Sequence, residues 1–490
     1  MRFAAARIYG VSASRAKLQY PSVTSQAIHF GTSGWRGIIA DDFNFSGVRR
    51  AASAIAAHVL ASSKSPNILV AHDTRFFSEE FAATCAHVLR KKGCGVSTCK
   101  GPTPTPAVAH AILHGKFDGG INITASHNPY TYNGLKFSGS EGGPALPEAT
   151  KDIERRAAAL EDEPFRLEDI HDSFNQVDPR EPYFTQLEKV VRFDALRKAK
   201  GAFVYDAVHG CGAGWLDPLL SRHGVKLTAI RTGRDVLFEG TGPDPSEENL
   251  AQLKAAVREG KALAGLATDG DADRFGILDS DGSFVSPNHI LALLFDFLLE
   301  TRGTKLGACR SVATTHLLDA VAKRHGVIVY ETPVGFKYVG AHLRADEIVL
   351  GGEESAGMTI RGHVPEKDGI LACLLVAEMI AARQASLGEQ LRDLFRRTGV
   401  ECWPIRVNLH VSAQVQEKLP ELLKREPNQF AARAVERIDR RDGLKLVLND
   451  GSWVLMRPSG TEPVVRVYAE SSSLAESKRI SGEARAWIGA

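Results

Sequence analysis

The apolar positions change period repeatedly along the chain. Spacings of three and four predict a helix over 47–61, and a short apolar run predicts a strand over 67–71. The same reading gives a helix at 78–91, a strand at 95–98, a helix at 104–113 and a strand at 119–124. Such alternation predicts a mostly parallel sheet flanked by helices. A second set follows, with strands at 202–206, 226–230 and 262–267, helices at 215–222 and 249–259, and a hairpin over 275–285 turning at 280–282. The third set has a helix at 289–300, strands at 311–314, 327–331 and 348–350, and a long helix at 369–383. After Val400 the pattern shifts to strands at 403–411, 444–448 and 464–469 and a last helix at 474–487.

The fold class expected is therefore α/β: three similar α/β domains with mixed sheets plus a smaller C-terminal α+β domain. No residue-by-residue repeat accompanies the architectural one. A charged stretch at 161–182, punctuated by Pro164, Pro179 and Pro182, marks a boundary. The expected division is a leader over 1–28 and domains over 29–175, 176–284, 285–399 and 400–490.

Composition narrows the function classes. The 490 residues carry 60 basic and 58 acidic side chains, with no long Lys/Arg block to track a nucleic-acid backbone. The longest apolar stretch, 290–299, is broken by Asp296 and falls short of the roughly 20 residues that cross a bilayer. Neither nucleic acid nor membrane is expected as a partner. Seven cysteines without a C-x-x-C pair argue against a disulfide framework and a zinc site, and fit a reducing cytoplasm. The first 29 residues hold Arg2, Arg7, Arg15 and Lys17 and no acid. They read as a leader preceding a fold that starts near His29, or as an organellar transit segment.

Candidate chemistry begins with Asp269, Asp271 and Asp273, directly after a buried strand. On an extended backbone alternate side chains point the same way, so three carboxylates would converge on a cation. Hard oxygen ligands indicate magnesium or calcium. A calcium EF-hand would need Gly and Glu where Arg274 and Ser280 stand, which favours magnesium with open coordination positions. A turn of solvated acids is the competing reading. The strand at 119–124 runs into Ala125-Ser126-His127-Asn128-Pro129, where an α/β sheet presents its ligand crevice. Ser126 there can carry a phosphoryl group, with His127 and Lys136 as candidate proton carriers; a plain turn is the alternative. Arg457-Pro458-Ser459-Gly460-Thr461-Glu462 can wrap a phosphate, and Gly352-Glu353-Glu354-Ser355 offers acceptors for sugar hydroxyls, although either string also suits an ordinary turn.

Taken together, F-G-T-S-G-W-R-G at 30–37, T-A-S-H-N-P at 124–129, D-G-D-A-D-R at 269–274, G-E-E-S at 352–355 and R-P-S-G-T-E-P at 457–463 resemble the α-D-phosphohexomutase family. Their order and separation match from about Phe30 onward. The resemblance implies four domains around a deep cleft, with Ser126 as phosphoserine and Asp269, Asp271 and Asp273 binding magnesium beside it. It further implies active-site roles for Arg36 and Arg274, and acid–base roles for His127 and Lys136. Glu353 and Ser355 would contact sugar hydroxyls, and Lys337 lies in a further substrate-binding stretch. Arg457, Ser459, Gly460 and Thr461 would clamp phosphate in a mobile last domain. The implied reaction moves a phosphoryl group between the two ends of a hexose monophosphate. Glucose 1,6-bisphosphate would serve as activator and intermediate, and the enzyme would be a monomer or homodimer. The G-E-E-S-A-G form, with Gly335-Phe336-Lys337 upstream and Lys367-Asp368-Gly369 downstream, looks like glucose-preferring members, with mannose use the alternative. A metal-dependent sugar phosphatase and a non-catalytic sugar-phosphate sensor are the rivals from other classes. The first leaves the loop at Arg457 without a purpose, and the second would be expected to lose Ser126 or an aspartate.

Overall fold

The computed structural model describes residues 27–31, 34–459 and 464–489. The leader before residue 27, and Gly460 and Thr461 of the expected phosphate clamp, lie outside the described residues. Ile28 and Phe30 are buried in the first core, so packing already includes the residue before His29.

The first sheet contains β1 (Trp35–Ile38), β2 (Asn67–His72), β3 (Gly95–Cys99), β4 (Gly119–Ile123), β5 (Tyr132–Gly139) and β6 (Asn175–Val177), in the order β1-β5-β4-β2-β3-β6. The second contains β7 (Phe203–Asp206), β8 (Leu227–Ile230), β9 (Ala264–Thr268), β10 (Phe275–Asp279) and β11 (Phe284–Val285), ordered β11-β10-β9-β7-β8. The third contains β12 (Gly307–Ser311), β13 (Val329–Thr332), β14 (Ile348–Glu353) and β15 (Gly357–Ile360), ordered β13-β12-β14-β15. One plan recurs in all three. A middle strand (β2, β7, β12) has parallel neighbours on both sides, and the second neighbour (β4, β9, β14) turns back into an antiparallel partner (β5, β10, β15). The repetition that residue identity hides is plain in strand order, and each recurring hairpin turn carries one of the sequence motifs.

The last sheet is antiparallel throughout: β16 (Ile405–His410), β17 (Gln429–Phe430), β18 (Arg433–Asp439), β19 (Leu444–Leu448), β20 (Trp453–Pro458) and β21 (Val464–Glu470), ordered β16-β21-β20-β19-β18-β17.

Local chemistry explains the helices that frame these sheets. Asn44 caps the helix Phe45–Leu60 by accepting from the Gly47 N–H at 2.9 Å, and Ser386 with Glu389 forms a capping box for Leu387–Thr398. The helix Gly369–Arg383 is apolar all round, as a helix buried on every side must be. With Pro287–Arg302 it fills one hydrophobic core shared by the second and third sheets, whereas the first and last domains have cores of their own. Among the described residues no single helix is long and apolar enough to cross a membrane.

One local expectation is corrected. The strand expected at 311–314 ends at Ser311. Val312 and Ala313 extend the apolar run past it but are buried in a turn rather than in the strand. The charged stretch at 161–182 also carries β6, which pairs with β3 at the edge of the first sheet.

Candidate active site

The β4–β5 turn presents the serine. Ser126 has φ +55°, a left-handed conformation costly for a non-glycine residue, and is 1% exposed. Arg75 holds the turn from below. Its fully buried guanidinium donates to the carbonyls of Ser126 (2.7 Å), Asn128 (2.6 Å), Pro129 (2.9 Å) and Tyr132 (3.0 Å). The planar fork of arginine suits this many acceptors, which a lysine could not match. Because β5 pairs back on β4, Lys136 sits opposite Asn122 and returns beneath the serine.

The β9–β10 turn carries the acids, and here the geometric reasoning from sequence is corrected. The backbone is not extended over 269–274. Ala272 is left-handed (φ +57°), its N–H donates to the Asp269 carbonyl at 3.0 Å, and Asp269 Oδ1 accepts from the N–H groups of Asp273 (2.9 Å) and Arg274 (3.0 Å). A tight turn between antiparallel strands therefore makes the side chains converge. All three carboxylates are buried, with one oxygen of each within 4.8 Å of the others.

The triad meets the serine and two lysines. Ser126 Oγ donates to Asp269 Oδ2 at 2.6 Å, while His127 Nδ1 stands 3.5 Å away from the same hydroxyl. Lys136 Nζ donates to Asp271 Oδ2 (2.5 Å) and Asp273 Oδ2 (2.8 Å). Lys367 Nζ lies 2.9 Å from Asp273 Oδ2, and Thr105 donates to Asp271 Oδ2 at 2.6 Å. Asp271 Oδ1 and Asp273 Oδ1 are buried without a hydrogen-bond partner. Such orphaned acceptors are costly, and on a cluster of hard oxygen donors they fit a divalent cation.

Charge states follow from these contacts. Burial and the neighbouring Asp271 and Asp273 push Asp269 well above the ordinary carboxylate range. Burial also acts on Asp271 and Asp273, but Lys136 outweighs it for both, with Lys367 and Arg274 adding at Asp273, so both are held low. Burial opposes charge on Lys136, yet the two aspartates keep it protonated above its usual value. His127 is held neutral by burial and by Arg274 and Arg36. Arg36, half-buried, donates to Asn128 Oδ1 at 2.7 Å and is pushed down to about 10 by burial and Arg274.

The β14–β15 turn supplies Glu353 and half-buried Ser355. Glu354 is already occupied by Ser311 (3.1 Å) and Thr314 (3.4 Å). Glu353, 5% exposed, accepts only the Gly335 N–H, at 2.7 Å, among the described residues, and burial with the Glu354 charge pushes it up to about 7. Lys337 lies further out, half-buried over the Tyr338 ring. From the last domain, Arg457 pairs with Asp442 at 2.8 Å, and the Ser459 N–H donates to the Val464 carbonyl at 2.8 Å.

Sequence reasoning passes over Arg75 and Thr105, which sit in unremarkable strings, and does not assign Lys367 to the site. Asp368 caps the helix Gly369–Arg383, and the Gly369 N–H donates to the Ala272 carbonyl at 3.0 Å, so that helix docks Lys367 onto the aspartate turn. A Cβ on Gly369 would lie 2.1 Å from the Arg274 carbonyl, so only glycine permits this approach.

Family models match along nearly the whole chain. They are the phosphoglucomutase/phosphomannomutase α/β/α domain I over residues 27–164, domain II over 181–282, domain III over 286–398 and the C-terminal domain over 412–486. The chain belongs to the phosphoglucomutase/phosphomannomutase family. A phosphoglucomutase/phosphomannomutase of Thermococcus kodakarensis is 31% identical over 452 residues, which are 91% of this chain and 94% of that one. A phosphoglucosamine mutase of Thermobifida fusca is 32% identical over 463 residues, again 91% and 94% of the two chains. A crystal structure of a provisionally assigned phosphomannomutase from Thermus thermophilus superposes with a TM-score of 0.83 at 35% identity, covering 95% of this chain and all of that one. The chain is accordingly a phosphohexomutase, an isomerase of hexose phosphates, and its buried acidic triad can hold a metal. The relatives' names span three sugars, so membership of the family leaves the hexose open.

Proposed function

We propose that this phosphohexomutase interconverts α-D-glucose 1-phosphate and glucose 6-phosphate, with Ser126 as the covalent carrier and glucose 1,6-bisphosphate as intermediate and activator. The observation that supports this most is the buried Ser126 hydroxyl held 2.6 Å from Asp269 beside the orphaned oxygens of Asp271 and Asp273. Phosphorylated Ser126 gives its phosphoryl to the free end of the hexose monophosphate. The serine P–O bond breaks, a P–O bond to the sugar hydroxyl forms, and the hydroxyl proton leaves. Lys136, bonded to Asp271 and Asp273 beside the serine, and His127, whose Nδ1 stands 3.5 Å from the Ser126 hydroxyl, are the groups placed to pass that proton. The bisphosphate then turns around, and Ser126 takes the other phosphoryl.

A divalent cation, which we take as magnesium, would be held by Asp269, Asp271 and Asp273 and would offset charge on the transferring group. Arg36 and Arg274 add positive charge beside the same site. Glu353, Ser355 and Lys337 would orient the sugar, while Arg457, Ser459, Gly460 and Thr461 would hold the phosphate that is not reacting. Exclusion of water by the last domain prevents loss of the phosphoryl to hydrolysis. The four-way division at 29–175, 176–284, 285–399 and 400–490 belongs to this reading. So does a cytoplasmic location, supported by seven free, buried thiols.

The test is turnover of glucose, mannose and glucosamine 1-phosphates, each with magnesium and a trace of glucose 1,6-bisphosphate, following the 6-phosphate and inorganic phosphate. Glucose 1-phosphate is expected to be used fastest without phosphate release. Equal use of another sugar would overturn the glucose assignment, and comparable phosphate release would overturn the mutase reaction.

A further inference from the structure

We propose that Asp442 is a positioning residue that couples the sugar-reading acid Glu353 to the phosphate-binding Arg457. The inference rests on the roles proposed above for those two residues and adds a physical link between them. Asp442 lies in the turn between β18 and β19, in the last domain. Its Oδ1 pairs with Arg457 Nε at 2.8 Å, within that domain, and its Oδ2 accepts the Val334 N–H at 3.0 Å, across to the third domain. The next N–H along the chain, that of Gly335, donates to Glu353 Oε1 at 2.7 Å. Two consecutive backbone amides thus face the two carboxylates, one from each domain.

The local backbone is built for this. Gly335 has φ +137° and ψ 121°, a region essentially closed to other residues, although a Cβ there would meet nothing nearer than 3.6 Å; conformation, not space, requires the glycine. Gly443, with φ +104°, lets the turn press on β20, since a Cβ there would sit 2.4 Å from the Met456 carbonyl, one residue before Arg457. Arg441, beside Asp442, donates to the Glu331 carbonyl (2.5 Å) and to Glu331 Oε2 (2.6 Å), seating the same turn on the third domain.

Arginine loses much rotamer freedom when fixed, and among the described residues it is Asp442 whose ion pair with Arg457 and hydrogen bond from Val334 link that arginine to the sugar loop. A sugar hydroxyl that engages Glu353 steadies the 334–335 peptide and hence the seat of Asp442. A ligand that leaves Glu353 unengaged loses that support. The phosphate arginine is therefore set in place by the sugar at the other end of the ligand.

The experiment uses the full chain with glucose 1-phosphate, magnesium and a trace of glucose 1,6-bisphosphate, and compares Asp442→Ala, Glu353→Gln, Arg457→Lys and the Asp442→Ala/Glu353→Gln double variant. Asp442→Ala is expected to raise KM about tenfold, the range for losing a hydrogen bond to a charged group, and to change kcat less than about threefold. The double variant should have a KM within about twofold of the more affected single variant, because both changes break one link. Multiplicative effects, or a KM for Asp442→Ala equal to that of the parent, would overturn the coupling. If Glu353→Gln and Arg457→Lys both raise KM while Asp442→Ala does not, only the coupling falls; if neither raises KM, the substrate roles beneath it fall as well. Asp442→Asn, which keeps the acceptor for Val334 and the side-chain shape, should raise KM about threefold and covers the case in which the alanine variant does not fold. An unchanged KM in Asp442→Asn would count against the proposal.

Discussion

The aspartate turn after β9 and the sugar turn after β14 occupy equivalent places in successive sheets, yet they hold acids in different states. Asp271 and Asp273 sit below the ordinary carboxylate range because Lys136, Lys367 and Arg274 outweigh their burial. Glu353 is also buried, accepts one backbone N–H at 2.7 Å among the described residues, has a second acid beside it, and rises to about 7. The hairpin supplies the place in both cases. What differs is direct contact with cations: Lys136 from β5 in the first domain and Lys367 from the segment before the helix Gly369–Arg383 touch the aspartates, whereas the pull of Lys367 and Arg274 on Glu353 does not offset its burial. The first turn is thereby suited to hold a divalent ion and the second to offer a sugar an acid that is part protonated at neutral pH.

The largest effect that would break this contrast comes from the aspartate turn. Asp271→Asn removes one orphaned oxygen's charge, and turnover should fall on the order of a thousandfold, as when a transition state loses its charge stabilisation. Magnesium should raise the melting temperature of the parent and not of the variant. A variant that keeps full turnover and the magnesium shift would show that the triad is a structural ion cluster.

The sugar turn makes a prediction of opposite sign in pH. A carboxyl raised from 4.5 to about 7 on folding binds its proton more tightly in the folded state. Its contribution is therefore full below about pH 4.5 and declines as pH rises through about 7, by about 3 kcal/mol in total. Glu353→Gln should remove that decline, measured by urea unfolding across the range. An unaltered slope would place the titration elsewhere.

The serine turn, third of the set, depends on Arg75. Arg75→Lys should lower kcat about tenfold to a hundredfold with a smaller change in KM, since it loosens the carbonyl clamp under Ser126. A parent-like kcat would mean that the left-handed serine holds itself. The smallest expected effect tests the backbone of the turns. Ala356 is left-handed (φ +67°) and buried, so Ala356→Gly relieves about 1 kcal/mol of backbone cost and loses about 0.8 kcal/mol of methyl burial. The net change in unfolding free energy should be near zero; a loss above about 1.5 kcal/mol would show that packing dominates there.

Much of this architecture is legible in the chain. Helices 78–91 and 369–383 can be read to the residue, the first from its amphipathic period and the second from a long apolar run that opens after the capping Asp368. The motif-bearing turns stand out because Ser126, the aspartates and Glu353 come directly after apolar strands. What the sequence hides has physical reasons. The aspartates alternate as strand residues would, but Ala272 turns left-handed, a choice that a residue with a Cβ does not announce. Val312 and Ala313 are apolar and buried like strand residues, but they belong to the turn that brings Thr314 to Glu354. Arg75, Thr105 and Asp442 act through long-range hydrogen bonds to backbone or to site acids, and no spacing in the chain reveals such partners.

The central claim is that Ser126 carries the phosphoryl group, and the direct measurement is to phosphorylate the protein with glucose 1,6-bisphosphate and map the modified residue by mass spectrometry before and after adding glucose 6-phosphate. The account predicts phosphate on Ser126, none in Ser126→Ala, and return of that phosphate to the sugar rather than to water. Phosphate on another residue, or full turnover by Ser126→Ala, would contradict it.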